Sequence, residues 1–397
     1  MIPGHGVGDP SASATDAMIL TIVQEVFSRL TTILGAYYFG ISLFPEAKTY
    51  RFLADVLNDS AILLDSVSPL LASKSIPSVF PGSSLRIATL CLSGACRALC
   101  GIVAGGSKTA LTIHFSEDGK VPGDIGDLNA KDGSRETVLS LLGMLSGTVV
   151  LRYLSTPAPT YVTLFVLIAG HLLANYLAVR AVTMRTLNCQ RISLAWVTFY
   201  TSYTNTLGRP LGYPDTSQGG ERQVIMRAPS PEHISSMERI LFPSRAIRNR
   251  EGSRVVGHAT FASSLSQLVR TRLAQVGYQD YLESVMALHT AQKYIILTDE
   301  LDTSLSAPLT IQIFLKEGHA PLDKLRAWSH AVEIGARWGS GVSALEVIEA
   351  AYRAVDSTFP TFVEKMREAG WNTDKGLVAP GPSRTISIYD GESKKEL

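Results

Sequence analysis

The sequence predicts a mainly α-helical protein: an N-terminal helical, membrane-embedded bundle followed by a smaller α+β domain in the cytosol. Two observations favour this fold class. Only 18% of the 397 residues are charged and the mean hydropathy is +0.16, whereas soluble domains carry roughly 25% charged residues. The first 213 residues hold 28 charged side chains, while the remaining 184 hold 43. The apolar bias therefore belongs to the first half of the chain, and the length suffices for two domains.

The predicted domain organisation has five parts. A run of Gly, Pro, Ser and Asp at 207–221 is typical of a linker. It separates a helical membrane-associated segment, 16–206, from an α+β domain, 222–378. The terminal stretches 1–15 and 379–397 are predicted to be disordered.

One segment is long and apolar enough to cross a bilayer. Fifteen of the 19 residues of Tyr161–Val179 are apolar and none is formally charged. Arg152 precedes the segment, whereas Arg180, Arg185 and Arg191 follow it, so the positive-inside tendency places the C-terminal domain in the cytosol. The alternative is a large soluble bundle whose central helices are fully buried.

Two other apolar stretches are marginal spans. The charge-free run at 137–151 is short, and Arg86 and Arg97 interrupt the run at 85–104. Each contains or adjoins a GxxxG motif, at Gly101/Gly105 and Gly143/Gly147. Because this spacing removes two side chains from one helical face, it favours close packing of a second helix.

The second half has the mixed periodicity of an α+β domain. Two β-rich runs, Tyr294–Thr298 and Leu309–Leu315, are predicted to pair as a hairpin. Helices are predicted at Pro231–Leu241, Ala262–Val276, Leu322–Ile334, Ala344–Val355 and Phe359–Ala369. The last of these is expected to close at Gly370, a residue type common after helix C-termini.

Composition and motifs exclude several function classes. A net charge of +1 argues against a dedicated nucleic-acid binder. The four cysteines form no CxxC pair, and the eight histidines contain no HExxH motif, so each histidine is expected to be a surface or satisfied core residue. The sequence contains no phosphate loop, no GxSxG elbow and no Rossmann fingerprint. These absences favour a non-enzymatic protein.

A polar stripe interrupts an otherwise apolar helix near residue 55. Arg51, Asp55, Asn58 and Asp59 fall at positions i, i+4, i+7 and i+8, on one helical face. One interpretation is a proton- or ligand-binding stripe that faces a cavity, because ionisable groups in apolar surroundings are costly. The other is an internal Arg51–Asp55 ion pair, with the remaining residues bonded to neighbouring helices.

A second polar cluster follows the apolar run at 85–104. Ser134 is predicted to cap a helix through the amide of Thr137, with Asp132 and Glu136 in its first turn. Lys108 and Lys131 beside such a helix start are positioned to receive an anionic group such as a phosphate. A purely structural loop explains the same residues, and both interpretations stay open.

Four stretches closely resemble the core of a known family. They are ADVLNDSAILLDSVSPLL, KTALTIHF, AKDGSRETVLSLLG and TLNCQRISLAW, in the order found in the ROOT UVB SENSITIVE (RUS) family, also described as the vitamin B6 photoprotection and homeostasis domain. The resemblance extends from about Gly6 to Val378 and includes AGWNT around Trp371. Since relatives carry further residues before Gly6, the chain is expected to be short at its N-terminus.

The resemblance implies a role but no reaction. Relatives are linked to ultraviolet-B responses in roots, auxin transport and pyridoxal phosphate homeostasis, and they are described as membrane proteins. Pyridoxal phosphate is therefore the ligand that the resemblance favours, and the implied partners are the membrane, another RUS-family protein or a vitamin B6-dependent enzyme. The motif positions that become candidate ligand-binding residues are Asp55, Asn58, Asp59, Lys108, His114, Lys131, Asp132, Glu136, Asn188 and Arg191.

Two function hypotheses follow, and an enzyme ranks third because the motifs named above are missing. The leading one is a non-enzymatic RUS-type membrane protein in vitamin B6 homeostasis or small-molecule trafficking. The alternative is a soluble or peripheral scaffold that binds a vitamin B6-dependent enzyme through its C-terminal domain. The tail Lys394-Lys395-Glu396-Leu397 resembles a dilysine retrieval signal, which would place the protein in the endoplasmic reticulum with a cytosolic C-terminus.

Overall fold

The computed structural model describes most of the chain. The described residues are 14–40, 42–71, 82–117, 124–207, 228–241, 245–262, 277–299, 308–339, 341–377 and 385–386. The chain divides into two compact units between Val182 and Thr183, ahead of the predicted linker at 207–221. Several predicted segments lie outside the described residues: residues 1–13, the linker beyond residue 207, the predicted helix beyond residue 262, and the dilysine tail.

The first unit is helical throughout its described part. Its helices are α1 (Ala14–Phe39), α2 (Ala47–Leu71), α3 (Gly82–Glu117), α4 (Ile125–Leu151) and α5 (Pro157–Ala181). Helix α3 packs along α2 and α1, α5 packs on α2, and α4 contacts α3. The predicted helical fold of this half is confirmed.

Close helix packing occurs at glycines other than those of the GxxxG motifs. A Cβ added at Gly35 would lie 2.7 Å from Leu99 Cδ2 and 2.9 Å from Ile102 Cδ1, so this glycine lets α1 approach α3. Among the described residues, no atom lies within 4 Å of a Cβ built at Gly101, Gly105, Gly143 or Gly147. The close packing predicted at both motifs is therefore not formed within the described chain, because no second helix lies against those faces.

The N-cap of helix α4 lies ten residues before the predicted one. Asp124 has extended backbone geometry and its Oδ1 accepts a hydrogen bond from Gly126 N at 2.7 Å, which makes it the N-cap. The prediction that Ser134 caps the helix was wrong, since the cap at Asp124 lets the polar stretch continue as helix. Asp132 and Glu136 consequently lie on a helical face instead of in a first turn.

Helix α5 exposes its apolar side chains. Two described helices, Leu85–Glu117 and Pro157–Ala181, are long and apolar enough to cross a membrane. All 25 residues of α5 are described and only Val179 is buried. Val166 and Leu167 are each 64% exposed. Within this chain α5 therefore does not form the buried core helix that the soluble-bundle alternative requires.

The second unit is an α+β fold. Its sheet has the strand order β2 (Ala246–Arg248), β3 (Val255–Phe261), β5 (Leu309–Lys316), β4 (Tyr294–Thr298), and β7 (Thr385–Ile386) also pairs with β5. The predicted pairing of Tyr294–Thr298 with the run after Leu309 is confirmed, since β4 and β5 are antiparallel with Ile296 opposite Ile313. A separate parallel pair joins β1 (Thr186–Leu187) to β6 (Asn372–Leu377).

Helices surround this sheet and share one core with it. They are α6 (Cys189–Leu207), α7 (Pro231–Met237), α8 (Tyr278–Leu288), α9 (Pro321–Arg337) and α10 (Ala344–Glu368). Trp196 of α6 packs edge-on against Phe362 of α10, with ring centroids 5.1 Å apart. Both rings are fully buried, and α6 therefore belongs to the second unit.

The two last predicted helices form one helix. Helix α10 runs through Pro360, although a proline removes one backbone hydrogen bond. Its apolar side chains continue at helical spacing across the proline, with Val355, Phe359 and Phe362 all buried, so packing outweighs the lost bond. The predicted closure is confirmed, because Gly370 has φ +93° and Trp371 N donates to Met366 O at 3.0 Å.

Candidate functional site

The polar stripe of α2 connects two helices. Asp59 is buried, and its Oδ2 lies 2.8 Å from Nδ1 of His171 on α5. Asn58 Nδ2 donates to the other oxygen of Asp59 at 3.5 Å. Tyr161 Oη, also on α5, donates to Ser66 O at 2.9 Å. These bonds join α2 to α5 through polar groups within an apolar surrounding.

Asp55 has an orphan oxygen on the same stripe. Within the described part of the chain, its Oδ2 is buried and has no hydrogen-bond partner. The described residues contain no Arg51–Asp55 ion pair, so that part of the structural interpretation was wrong. Its other part, bonding to a neighbouring helix, holds for Asp59, which contacts His171. A buried carboxylate oxygen without a donor costs roughly 1–3 kcal/mol, and this makes Asp55 a candidate for contact with a ligand or proton.

A cavity of about 490 Å³ lies beside this stripe, between α2, α3 and α4. Four basic side chains line it: Arg51, Lys108, Lys131 and Arg135. Two carboxylates, Asp132 and Glu136, lie among them, and the apolar part of the lining is Leu111, Phe115 and Leu128. The lining therefore carries a net positive charge on a partly apolar wall.

Lys108 organises the acidic part of the lining. Its Nζ lies 2.8 Å from Asp132 Oδ2 and 2.9 Å from Glu136 Oε1, both on α4. Lys131 Nζ lies 2.7 Å from Asp127 Oδ2 on its own helix. Four cations against two carboxylates leave the lining an excess of positive charge that can act on a ligand. Such a cavity suits an anion with a flat apolar body.

The structure brings some of the predicted residues together and separates others. Lys108, Lys131, Asp132 and Glu136 line one cavity. Asp55, Asn58 and Asp59 lie on α2, outside that lining. His114 is buried near the end of α3, with its ring centroid 5.3 Å from that of Phe115, and does not line the cavity.

Asn188 and Arg191 lie in the second unit and have structural roles there. Asn188 Oδ1 accepts from Arg191 N at 2.8 Å, which caps the start of α6. Arg191 Nη2 lies 2.8 Å from Glu238 Oε1, and its Nη1 donates to Thr186 O at 3.0 Å. Both partners of this ion pair are almost fully buried, so the TLNCQR stretch holds the segment around Glu238 in place.

Sequence reasoning missed His171 and Arg135. His171 was expected, like each histidine, to be a surface or satisfied core residue, although it is the one His, Lys, Arg, Asp or Glu within the run Tyr161–Val179. An ionisable group inside an apolar span is a functional candidate by default, so that signal was available. No comparable signal marks Arg135, which reaches the cavity only because α4 begins at Ile125 and continues past Arg135.

Metal binding finds no support among the described residues. They contain no group of three or more His, Cys, Asp or Glu side chains that could hold a metal ion.

The fold and the cavity define a class of protein: a helical unit with a cation-lined cavity and exposed apolar helices, followed in the chain by an α+β unit. The chain belongs to the family described as the vitamin B6 photo-protection and homoeostasis domain, whose model matches residues 1–203, just over half of the sequence. The resemblance stated from the four sequence stretches is thereby confirmed.

Relatives from two organisms match most or much of this chain. Protein root UVB sensitive 3 of Arabidopsis thaliana is 27% identical over 96% of this chain and 74% of its own length. RUS family member 1 of Dictyostelium discoideum is 29% identical over 64% of this chain, but only 42% of its own length is covered. Protein root UVB sensitive 2, chloroplastic, of Arabidopsis thaliana is 22% identical over 86% of this chain and 66% of its own length. No solved structure matches.

Proposed function

We propose that this protein is a membrane-embedded, non-enzymatic component of vitamin B6 homeostasis that binds pyridoxal phosphate in the cavity between α2, α3 and α4. The observation that carries the proposal is the lining of that cavity, which combines four cations with an apolar wall that includes Phe115. The family description supplies the vitamin, and the cavity supplies the chemistry that would bind its phosphate ester.

The ligand chemistry matches the lining in three respects. Guanidinium groups bind phosphate oxygens through paired hydrogen bonds, which assigns the phosphate to Arg51 and Arg135. Phe115 and Leu111 offer apolar surface to the pyridine ring. A lysine amine that gives up its proton condenses reversibly with an aldehyde and releases water. Lys108 and Lys131 are the lysines of the lining that would form this bond, and the carboxylates that they contact would accept their protons.

Helix α5 supports the membrane part of the proposal. A Val, Leu or Phe side chain left fully exposed in water forgoes about 1.5–3 kcal/mol of burial free energy. Six such side chains of α5 are 54–64% exposed and therefore forgo part of this amount. A lipid environment removes this penalty. Two of the charged groups of α2, Asp59 and Asp65, lie against His171 and Arg97 of neighbouring helices, an arrangement expected for ionisable groups inside a bilayer.

Covalent trapping tests the ligand site. Purified full-length protein in lipid nanodiscs is incubated with pyridoxal phosphate, reduced with borohydride and mapped by mass spectrometry. We expect the pyridoxyl group on Lys108 or Lys131 at low reagent concentration, and much less on Lys375 of the second unit. Arg135→Gln should lower this labelling about tenfold, as expected for the loss of one charge-assisted bond. Arg29→Gln, on the exposed face of α1, is the matched control.

Two results would contradict the ligand site. One is equal labelling of lysines throughout the chain, which is the pattern of a non-specific aldehyde. The other combines two observations. Labelling of Lys108 and Lys131 by pyridoxal phosphate would be unchanged in the Arg135→Gln protein, and pyridoxine 5′-phosphate, which has the phosphate but lacks the aldehyde, would not reduce that labelling.

Alkaline carbonate extraction tests membrane embedding. Cells that express the tagged full-length chain are lysed, and the membranes are washed at alkaline pH. We expect the protein to stay in the pellet, since the apolar surface of α5 would be solvated by lipid tails. Release into the supernatant would instead favour a peripheral scaffold.

A further inference from the structure

We propose that the cavity of the first unit binds its anion together with a proton, and that Asp55 is the group that takes up this proton. The inference rests on the proposed function, because it concerns how the same cavity holds an anionic ligand. The proton comes from solvent and converts the Asp55 carboxylate into a neutral carboxylic acid.

Arg51 connects the cavity to Asp55. It is one of the four cations that line the cavity. On α2 it lies four residues before Asp55, so both side chains belong to one helical face. Although the two do not form an ion pair, the Arg51 guanidinium is the charge that acts most strongly on Asp55. A change of charge at Asp55 is therefore transmitted to a residue of the cavity lining.

The surroundings of Asp55 hold more carboxylates than fixed cations. Asp55 and Asp59 are accompanied by a single arginine, Arg51. The other titratable neighbours are His171 on α5, which contacts Asp59 at 2.8 Å, and Cys100 on α3. A neutral imidazole donates to a carboxylate without adding charge, and a thiol is uncharged near neutral pH. The stripe then carries one uncompensated negative charge, which a single proton removes.

Asp55 suits this proton better than Asp59 does. Within the described chain, Asp55 Oδ2 is buried and accepts no hydrogen bond, whereas Asp59 Oδ2 lies 2.8 Å from His171 Nδ1. A buried oxygen without a donor is far less costly in a neutral group than in an ion. Protonation therefore relieves Asp55, while Asp59 already has a partner for its charge.

The coupling follows from the position of Arg51 between the two sites. An ionised Asp55 offsets part of the guanidinium charge and repels an anion in the neighbouring cavity. Protonation removes both effects, and the surrounding apolar side chains, such as the buried Phe52 and Ala54, strengthen them through a low dielectric. Because coupling free energies are reciprocal, a bound anion in turn favours proton uptake by Asp55.

Calorimetry measures the proton that accompanies the anion. Full-length protein in nanodiscs is titrated with pyridoxine 5′-phosphate, which has no aldehyde and therefore forms no lysine adduct that would itself move protons. Titrations in two buffers of different ionisation enthalpy give the number of protons taken up per bound ligand. We expect this number to be larger for the wild-type protein than for Asp55→Asn, since any proton taken up by the phosphate is common to both.

The ratio of the two affinities removes the titration of the ligand. At about pH 8, Asp55→Asn should bind at least about fivefold more tightly than the wild-type protein, and the affinities should converge toward about pH 5.5. Asp65→Asn is the matched control, because Asp65 lies on the same helix but is paired with Arg97. It should follow the wild-type protein. His171→Gln should also keep the wild-type pH dependence, since glutamine still donates to Asp59 but does not titrate.

Two results would overturn the coupling and leave the proposed function standing. In one, pyridoxine 5′-phosphate binds, but Asp55→Asn and the wild-type protein have equal affinities at every pH and equal proton uptake. In the other, His171→Gln loses the wild-type pH dependence and Asp55→Asn keeps it, which would assign the proton to the imidazole.

Absence of binding to the wild-type protein at every pH would contradict the proposed function, and the coupling with it. If Asp55→Asn does not fold, as judged by gel filtration, infrared difference spectra of the wild-type protein decide. Addition of pyridoxine 5′-phosphate should increase the carbonyl absorption of protonated carboxyl groups, and binding without this increase would overturn the coupling.

Discussion

His289 and His330 form a buried, stacked pair in the second unit. Their ring centroids lie 5.5 Å apart, and Tyr294 and Tyr352 contact both rings edge-on. His289 Nδ1 lies 2.8 Å from Val285 O and His330 Nε2 lies 3.1 Å from Ile348 O. A carbonyl only accepts, so these nitrogens carry the protons of two neutral rings. Burial lowers the pKa of His289 to about 4 and that of His330 well below its ordinary value.

We therefore expect acid to destabilise the second unit through this pair. Because the folded pKa of His289 lies below the unfolded value of about 6.5, the unfolded chain binds more protons between the two. The stabilisation is complete above about pH 6.5 and declines toward pH 4, by up to about 1.4 kcal/mol per pH unit for each histidine. Thermal unfolding followed by tryptophan fluorescence between pH 7 and pH 4 measures the decline.

His289→Gln should make this pH dependence shallower, although its stability at pH 7 falls. His233→Gln is the matched control, since His233 is exposed on α7. A His289→Gln protein with the same slope as wild type between pH 6.5 and pH 4 would show that other groups cause the acid sensitivity.

At the scale of the elements, the pairing of β3 with β5 depends on Gly257. A Cβ at this position would overlap the backbone carbonyl of Leu309, the residue opposite it in the parallel register. By contrast, Gly133 on α4 has no atom within 4 Å of an added Cβ among the described residues. Strand pairing therefore requires a glycine at 257, whereas packing among the described residues does not require one at 133.

Gly257→Ala is expected to destabilise the second unit by several kcal/mol, because strand backbone must move to admit the methyl group. Gly133→Ala should instead stabilise α4 by up to about 1 kcal/mol, since alanine has the higher helix propensity. Chemical denaturation followed by circular dichroism measures both changes. A Gly257→Ala protein as stable as wild type would argue against this strand register.

At the scale of the whole molecule, the two units differ in how they bury apolar surface. Among the described residues, the buried cluster of the first unit consists of Leu43, Ala54 and Val103, packed against a few half-buried neighbours. The second unit buries a core that includes Trp196, Trp328 and the strands β4 and β5. A unit with so small a core gains little hydrophobic stabilisation in water, and this agrees with our proposal that its exposed apolar helices lie in a bilayer.

A charge on the exposed face of α5 distinguishes lipid from water. Leu167 is 64% exposed and Leu241, in the second unit, is 67% exposed. Leu167→Arg should reduce the membrane-bound fraction, because an arginine at the centre of a span costs about 2.5–3.5 kcal/mol. Leu241→Arg should leave that fraction unchanged. If α5 faces water, both substitutions would be equally harmless in a fractionation of expressing cells.

The predicted site shows where sequence reasoning stops. The stripe on α2 was predictable, because i, i+4, i+7 and i+8 spacing places its residues on one face of a helix. Its partner on α5 was not, since the bond between Asp59 and His171 joins residues 112 positions apart. For the same reason the sequence could not predict that Arg51 and Lys131 line one cavity, since no local spacing relates them.

The sequence by itself determined the family, the helical and α+β halves, the β4–β5 pair and the closure of α10 at Gly370. These depend on local periodicity, turn residues and motif order, which lie within short stretches of chain. Only the tertiary structure decided that α6 belongs with the second unit, that α10 passes through Pro360, and which charges share a cavity. Those outcomes depend on packing between distant segments. Burial of Trp196 places α6 in the second unit although the linker composition favours a boundary after α6, and burial of Phe362 keeps α10 continuous although Pro360 favours a break.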